Sequence, residues 1–351
     1  MKRLTLLLIL SVHLLVPLQA QIDSSVVKPG LIRWMSIEEA ETQNKQYPKA
    51  VMVFVMTDWC GWCKHMMNTT LANPDVAGYI NLNFYPVLFN AESKDSIRFH
   101  DSTFVNPSAE SRSPHNFTRM LLNGKLSYPT TVFYNNDWQF KLIVPGYQAI
   151  NALEPFLVYT TEYVFKTTAV ETFREEYLKA AKADSVFAGK PEMSWMSMAE
   201  ALKKQQEKPK KIMVLINTAW CNSGRTYKNA TFRDSLIMKV TNDLFYPVYF
   251  DAESKDTVTF KGIRFVNDGS LGTFHSFAVS LCNGRIVLPT VVFIDTNFDL
   301  IAAIPQYYGP DDMEFILHYF GESFYKTQTW EEFRKTFVPV RNKKTEHQFG
   351  F

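Results

Sequence analysis

Two cysteines separated by two residues, Cys60-Gly61-Trp62-Cys63, carry the most specific chemistry in this sequence. They follow the apolar run Val51–Met56 and precede a helical stretch. A thiol at a helix N-terminus faces unpaired backbone N–H groups and the positive end of the helix dipole, and both favour the thiolate. The thiolate is the attacking species in disulfide exchange. A two-residue gap across the first helical turn brings the second sulfur within reach, so it can resolve a mixed disulfide. Lys64 adds a positive charge, and Trp59 places a large apolar body just before the first cysteine. Three other uses of such a pair compete. Zinc needs further ligands: His65 gives Cys-x-x-Cys-x-His, but no fourth ligand stands out. Haem attachment needs histidine directly after the second cysteine, where Lys64 stands. A purely structural disulfide would close a loop too short to constrain the unfolded chain much.

The elements that must hold this pair occur twice. WMSIEEA at 34–40 answers WMSMAEA at 195–201, and WCGWCK at 59–64 answers WCNSGR at 220–225. FYPVLFNAESKD at 84–95 answers FYPVYFDAESKD at 245–256, and NGKLSYPTTVF at 123–133 answers NGRIVLPTVVF at 283–293. The offset is 161 residues early and 160 late, so the chain holds two globular units rather than a short-period solenoid. Their junction is expected near 182–193, giving units over 21–185 and 186–351.

Within each unit, Ser36 with Glu39 and Ser197 with Glu200 match the capping box that opens a helix. Val51–Met56 and Ile212–Asn217 read as buried strands running into the cysteine motif. Phe84–Phe89 and Phe245–Phe250 read as second strands, and Thr130–Tyr134 and Thr290–Ile294 as third strands that start just after a proline. Turn-like residues, a further strand and an apolar-periodic helix follow, Ile150–Tyr159 or Asp312–Phe320. This order predicts an α/β sandwich with a mixed sheet. An extra hairpin, 96–106 or 257–267, and a helix, His115–Leu122 or Phe274–Cys282, precede the proline of each unit. The insertion is expected to cover a sheet edge rather than act as a substrate lid.

With WCGWCK after an apolar strand and YPTTVF further on, the sequence resembles the thioredoxin-like superfamily, over both repeats. The resemblance implies two tandem thioredoxin-like domains, each a mixed central sheet with flanking helices and a hairpin-plus-helix insertion before a cis-proline. It makes Pro129 that cis-proline, with its backbone pairing an extended substrate segment. Cys60 would be the nucleophile and Cys63 the resolving thiol. Tyr128, Pro129 and Thr130 would position substrate, with Trp59 and Trp62 as contact surface. There are departures. The family's buried acid six residues before the first cysteine is replaced by Phe54, leaving Asp58 or water to take the proton of the resolving thiol. In the second copy Cys221 aligns with Cys60 and Pro289 with Pro129, but Gly224 replaces Cys63. Cys221 is therefore a candidate for residual monothiol chemistry or a relic, since a lone thiol cannot resolve an adduct locally. Cys282, aligned with Leu122, reads more readily as a buried hydrophobe than as a resolving partner for Cys221.

Residues 1–20, MKRLTLLLILSVHLLVPLQA, have the basic start, apolar centre and small final residue of a secretory signal peptide. Without Lys2 and Arg3, 35 basic residues face 35 acidic ones, so charge gives no case for nucleic acid or anionic lipid. No later run is long and apolar enough for stable membrane insertion. The expectation is a periplasmic or secreted thiol–disulfide oxidoreductase, a reductase or isomerase. It would act on proteins with cysteines or disulfides and be served by an unidentified redox donor, with neither metal nor organic cofactor. The competing expectation is a non-catalytic client-binding or envelope scaffold on the same fold.

Overall fold

The computed structural model describes residues 30–341; the expected signal peptide lies outside them. Helix α1 (Ile37–Gln46) opens on the expected capping box: the Glu39 N–H donates to Ser36 Oγ, and the Ser36 N–H to the Glu39 carboxylate. Strand β1 (Ala50–Met56) is buried at all seven positions. Both its faces are covered, as its unbroken apolar sequence requires. The chain continues through α2 (Gly61–Asn68), α3 (Pro74–Asn83) and β2 (Phe84–Asn90). The insertion follows as hairpin β3 (Ile97–Phe99) and β4 (Ser102–Phe104), then α4 (Asn116–Leu121). The unit ends with β5 (Thr130–Tyr134), β6 (Lys141–Pro145), α5 (Ile150–Thr161), α6 (Val170–Ala181) and the short α7 (Ala183–Val186).

The second unit repeats the plan. It has α8 (Met198–Glu207), again with a capping box, then β7 (Lys211–Asn217), α9 (Asn222–Asn229), α10 (Ser235–Leu244) and β8 (Phe245–Asp251). Hairpin β9 (Val258–Phe260) and β10 (Ile263–Phe265) turns at Lys261-Gly262, both with positive φ. Helix α11 (Ser276–Leu281), strands β11 (Thr290–Ile294) and β12 (Leu300–Pro305), and helices α12 (Pro310–Gly321) and α13 (Trp330–Thr336) complete it.

Each unit holds a four-stranded mixed sheet, in order β2-β1-β5-β6 and β8-β7-β11-β12. The first pair is parallel and the others antiparallel. Alternate residues of β1 enter opposite cores. Val51, Val53 and Val55 pack with Ile37, Phe99 and Phe117 on one face; Met52, Phe54 and Met56 pack with Cys63, Met66 and Leu157 on the other. Hairpin β3–β4 thus lies over one face of the sheet together with α1, the Arg98 and His100 N–H groups donating to Glu38 and Glu41.

The units share a core. One apolar cluster contains Val158, Phe173 and Tyr177 of the first unit with Leu215, Tyr227 and Tyr307 of the second. Helix α6 packs on α9, and the segment after it contributes buried Met193 to the same cluster. The sequence reading names no helix in the place of α6, whose apolar face is complementary to the other unit rather than to its own sheet.

Candidate active site

Cys60 is the N-cap of α2, with extended backbone (φ −74°, ψ 103°), and its Sγ accepts from the Cys63 N–H at 3.0 Å. The two cysteines form a disulfide, S–S 2.01 Å. Cys60 is 5% exposed and Cys63 fully buried, so an attacking group can approach only the first sulfur. The pairing of Val55 with Thr130 brings the start of β5 beside the end of β1. Pro129 therefore sits next to the motif, and the Tyr128–Pro129 bond is cis.

The Pro129 carbonyl accepts from the Gly146 N–H at 2.8 Å, and the buried Thr130 hydroxyl donates to the Ser127 carbonyl at 2.7 Å. Tyr128 N–H and C=O make no hydrogen bond among the described residues. At the cis bond itself the free backbone groups thus belong to Tyr128, while Thr130 holds the turn from beneath.

Trp59 and Trp62 are exposed, at 53% and 63%. Trp59 stands edge-on to Tyr128 at 6.2 Å, and its Nε1–H donates to both Glu92 oxygens at 3.0 and 3.1 Å. The Arg112 guanidinium lies 5.5 Å from the Trp59 ring. Trp62 packs with His65 and Tyr147 on the other side of the motif. Burial raises the pKa of Tyr128, with Glu92 adding to the effect. Asp58 is exposed and accepts from Asn90 at 3.1 Å. Fully buried Phe54 fills the acid's place against Trp34.

Glu92 and Arg112 are absent from the sequence reading. Glu92 had a signal in the repeat: Trp220 Nε1–H donates to Glu253 at 3.1 Å, the same pair one unit later. Arg112 had none. It lies in the loop between the hairpin and α4, so the insertion reaches the site at its edge as well as covering the sheet.

In the second unit Cys221 is the N-cap of α9 and 1% exposed, and Leu288–Pro289 is cis. Its neighbour is Glu162, from the turn after α5 of the first unit. The Asn222 and Ser223 N–H groups donate to the Glu162 carboxylate at 3.0 and 2.8 Å, the Ser223 hydroxyl donates to it as well, and the Cys221 thiol donates at 3.4 Å. Burial, then the Glu162 charge, pushes the Cys221 thiol well up. Cys282 is also a free, buried thiol, hydrogen-bonded to Thr290. Among the described residues no cluster of His, Cys, Asp or Glu could hold a metal ion, and no helix is long and apolar enough to cross a membrane.

With this geometry in place, residues 35–161 match the thioredoxin-like domain family. The first unit therefore carries a thioredoxin-like domain. The second unit has the same sheet order, with the same register except for a bulge where β12 meets the end of β11. No curated protein matches the chain. Among solved structures it is similar to a thioredoxin from Thermus thermophilus (17% identity over 36% of this chain and 84% of that one, TM-score 0.27). It is also similar to a putative disulphide-isomerase from Bacteroides thetaiotaomicron (20%, 36% and 89%, 0.26) and a thioredoxin-fold protein from Helicobacter pylori (14%, 46% and 91%, 0.29).

Proposed function

We propose that the first unit is an extracytoplasmic thiol–disulfide oxidoreductase acting on protein disulfides. The observation that carries this is the Cys60–Cys63 disulfide at the start of α2, with the outer sulfur flanked by two exposed tryptophans and the inner one sealed. In the reduced enzyme, Cys60 thiolate attacks a substrate disulfide. A Cys60–substrate bond forms and one substrate thiolate leaves. Cys63, deprotonated, then attacks Cys60 Sγ; the second substrate thiolate leaves and the enzyme disulfide closes. Two electrons pass from enzyme to substrate, and an external thiol donor must return them for turnover. Isomerisation uses the first step and its reversal, with a different substrate thiol displacing Cys60.

The helix end supports the thiolate of Cys60: in the closed form its sulfur already accepts from the Cys63 N–H. Tyr128 offers one N–H and one C=O to an extended substrate strand, and Trp59 and Trp62 supply apolar contact on either side. Asp58 is the acid closest in sequence to Cys63, yet it is engaged with Asn90, which leaves solvent to take the proton of the resolving thiol. Placement outside the cytoplasm rests on residues 1–20, and the units are taken as 21–185 and 186–351.

The test is turnover of a disulfide-bonded protein such as insulin by the full chain with a dithiol donor. Cys60→Ser must abolish it. Cys63→Ala must accumulate Cys60–client adducts on a non-reducing gel. Equal turnover by intact chain and Cys60→Ser removes the enzyme reading and leaves the scaffold, to which Gly224 and the retained Trp220–Glu253 pair of the second unit lend support.

A further inference from the structure

We infer that the second unit's thiol centre is a receptor for Glu162 of the first unit, so that Cys221 is sealed by an internal carboxylate and the second unit serves as a mount for the first. The inference stands independently of any reaction at Cys60.

Three observations carry it. The first is occupancy. Both oxygens of Glu162 lie on the open end of α9 and take the N–H groups of Asn222 and Ser223, the Ser223 hydroxyl and the Cys221 thiol. An incoming disulfide, or the thiolate that would attack it, needs the same helix end. The carboxylate is there instead, and its charge opposes ionisation of the sulfur beside it.

The second is the wall behind the thiol. A Cβ at Gly224 would lie 1.8 Å from Asn217 Oδ1, so the Asn217 side chain fills the space where a resolving cysteine would stand. Asn217 is 2% exposed. Cys221 is thus blocked by Glu162 on one side, and on the other the volume for a resolving thiol has been taken up.

The third is the rigidity of the delivery. Glu162 follows α5 and precedes Tyr163, whose left-handed backbone (φ 56°) turns the chain into a 3-10 turn at Val164–Lys166. That turn and α6 belong to the shared core. Thr168 donates to the Tyr307 carbonyl at 3.3 Å and accepts from the Gly309 N–H at 3.1 Å. Thr167 donates to the same carbonyl. The second unit carries the equivalent piece, Glu322 followed by left-handed Ser323, but there, among the described residues, the carboxylate hydrogen-bonds with His318 of its own helix. The same local motif therefore docks on the other unit in one copy and pairs within its own helix in the other.

The experiment uses the full chain with Cys60–Cys63 oxidised, leaving Cys221 and Cys282 as the reactive thiols. Native-state labelling with N-ethylmaleimide, read by peptide mass spectrometry, gives the ratio of the Cys221 rate to the Cys282 rate; dividing by Cys282 removes global loosening. Glu162→Ala is expected to raise the ratio about tenfold, the fold-change of roughly one charge-assisted hydrogen bond. Glu162→Gln keeps the volume but turns one acceptor into a donor that opposes a helix N–H, and is expected to raise it by a smaller factor. An unchanged ratio in both variants overturns the inference, as does wild-type Cys221 labelling as fast as glutathione.

Discussion

The Oδ1 atom of Asn217 lies 1.8 Å from the position a Cβ would take at Gly224. The Asn217 side chain therefore occupies the space that a side chain at position 224 would need. Asn217 corresponds in the repeat to Met56, and Gly224 to Cys63.

Restoring the second cysteine alone should fail. Gly224→Cys forces a buried side chain into Asn217, and overpacking of this kind costs about 1–3 kcal/mol or more. Adding Asn217→Ala opens the space and should recover at least half of the loss. Urea unfolding of wild type, single and double variants checks this; a single variant as stable as wild type would show that Asn217 swings aside at no cost.

Trp59 is held upright by Glu92, and this should tune substrate capture more than chemistry. Glu92→Ala removes an acceptor from an exposed ring while leaving both sulfurs untouched. KM for a protein disulfide should rise by roughly threefold, as expected for a solvent-exposed hydrogen bond worth under 1 kcal/mol, with kcat unchanged. A fall in kcat with unaltered KM would instead place Glu92 in the exchange step.

What the sequence made legible was local. A capping box is written in two residues three apart, which is why the starts of α1 and α8 are readable from Ser36/Glu39 and Ser197/Glu200 alone. The strand–cysteine–helix order and the proline before β5 are equally local, and the repeat displays them twice. Glu162, Arg112 and Asn217 were not legible because their roles depend on partners far along the chain or in the other unit. Glu162 is an ordinary helix-end residue until α9 is packed against it. The shared core was hidden for a similar reason: Phe173 and Tyr177 look like the face of any amphipathic helix, and periodicity says that a face is buried without saying against what.

Burial raises the pKa of the Glu162 carboxyl, with Ser223, Asn222 and Cys221 pulling it only part of the way back. Its titratable neighbours are Cys221, Tyr79 on α3 and Tyr177 on α6. None of these is cationic at neutral pH. An acid with a raised folded pKa binds its proton more tightly when native, so its contribution to stability is greatest at low pH and declines as pH climbs from the unfolded value near 4.5 through the folded one. The difference in unfolding free energy between wild type and Glu162→Gln should therefore move against wild type over that interval. Parallel curves for the two proteins across the interval would mean that Glu162 titrates normally.

The shared core predicts that the chain unfolds as one body. Tyr307 is fully buried, packs on Phe173 of the first unit at 5.2 Å and on Tyr227 of the second at 4.5 Å, and its hydroxyl pairs with Thr231 at 2.8 Å. Thr167 and Thr168 donate to its carbonyl from the first unit. Removing such a ring costs about 3–5 kcal/mol by the usual scale for large buried aromatics. If the junction is part of one cooperative core, Tyr307→Ala lowers the melting of both units together, and calorimetry of the wild type shows a single transition whose calorimetric and van't Hoff enthalpies agree. If instead the units melt apart, the variant shifts only the second transition, and the disulfide unit keeps its own midpoint. That result would make the contact between Phe173 and Tyr307 a docking of two finished domains rather than part of the interior of either.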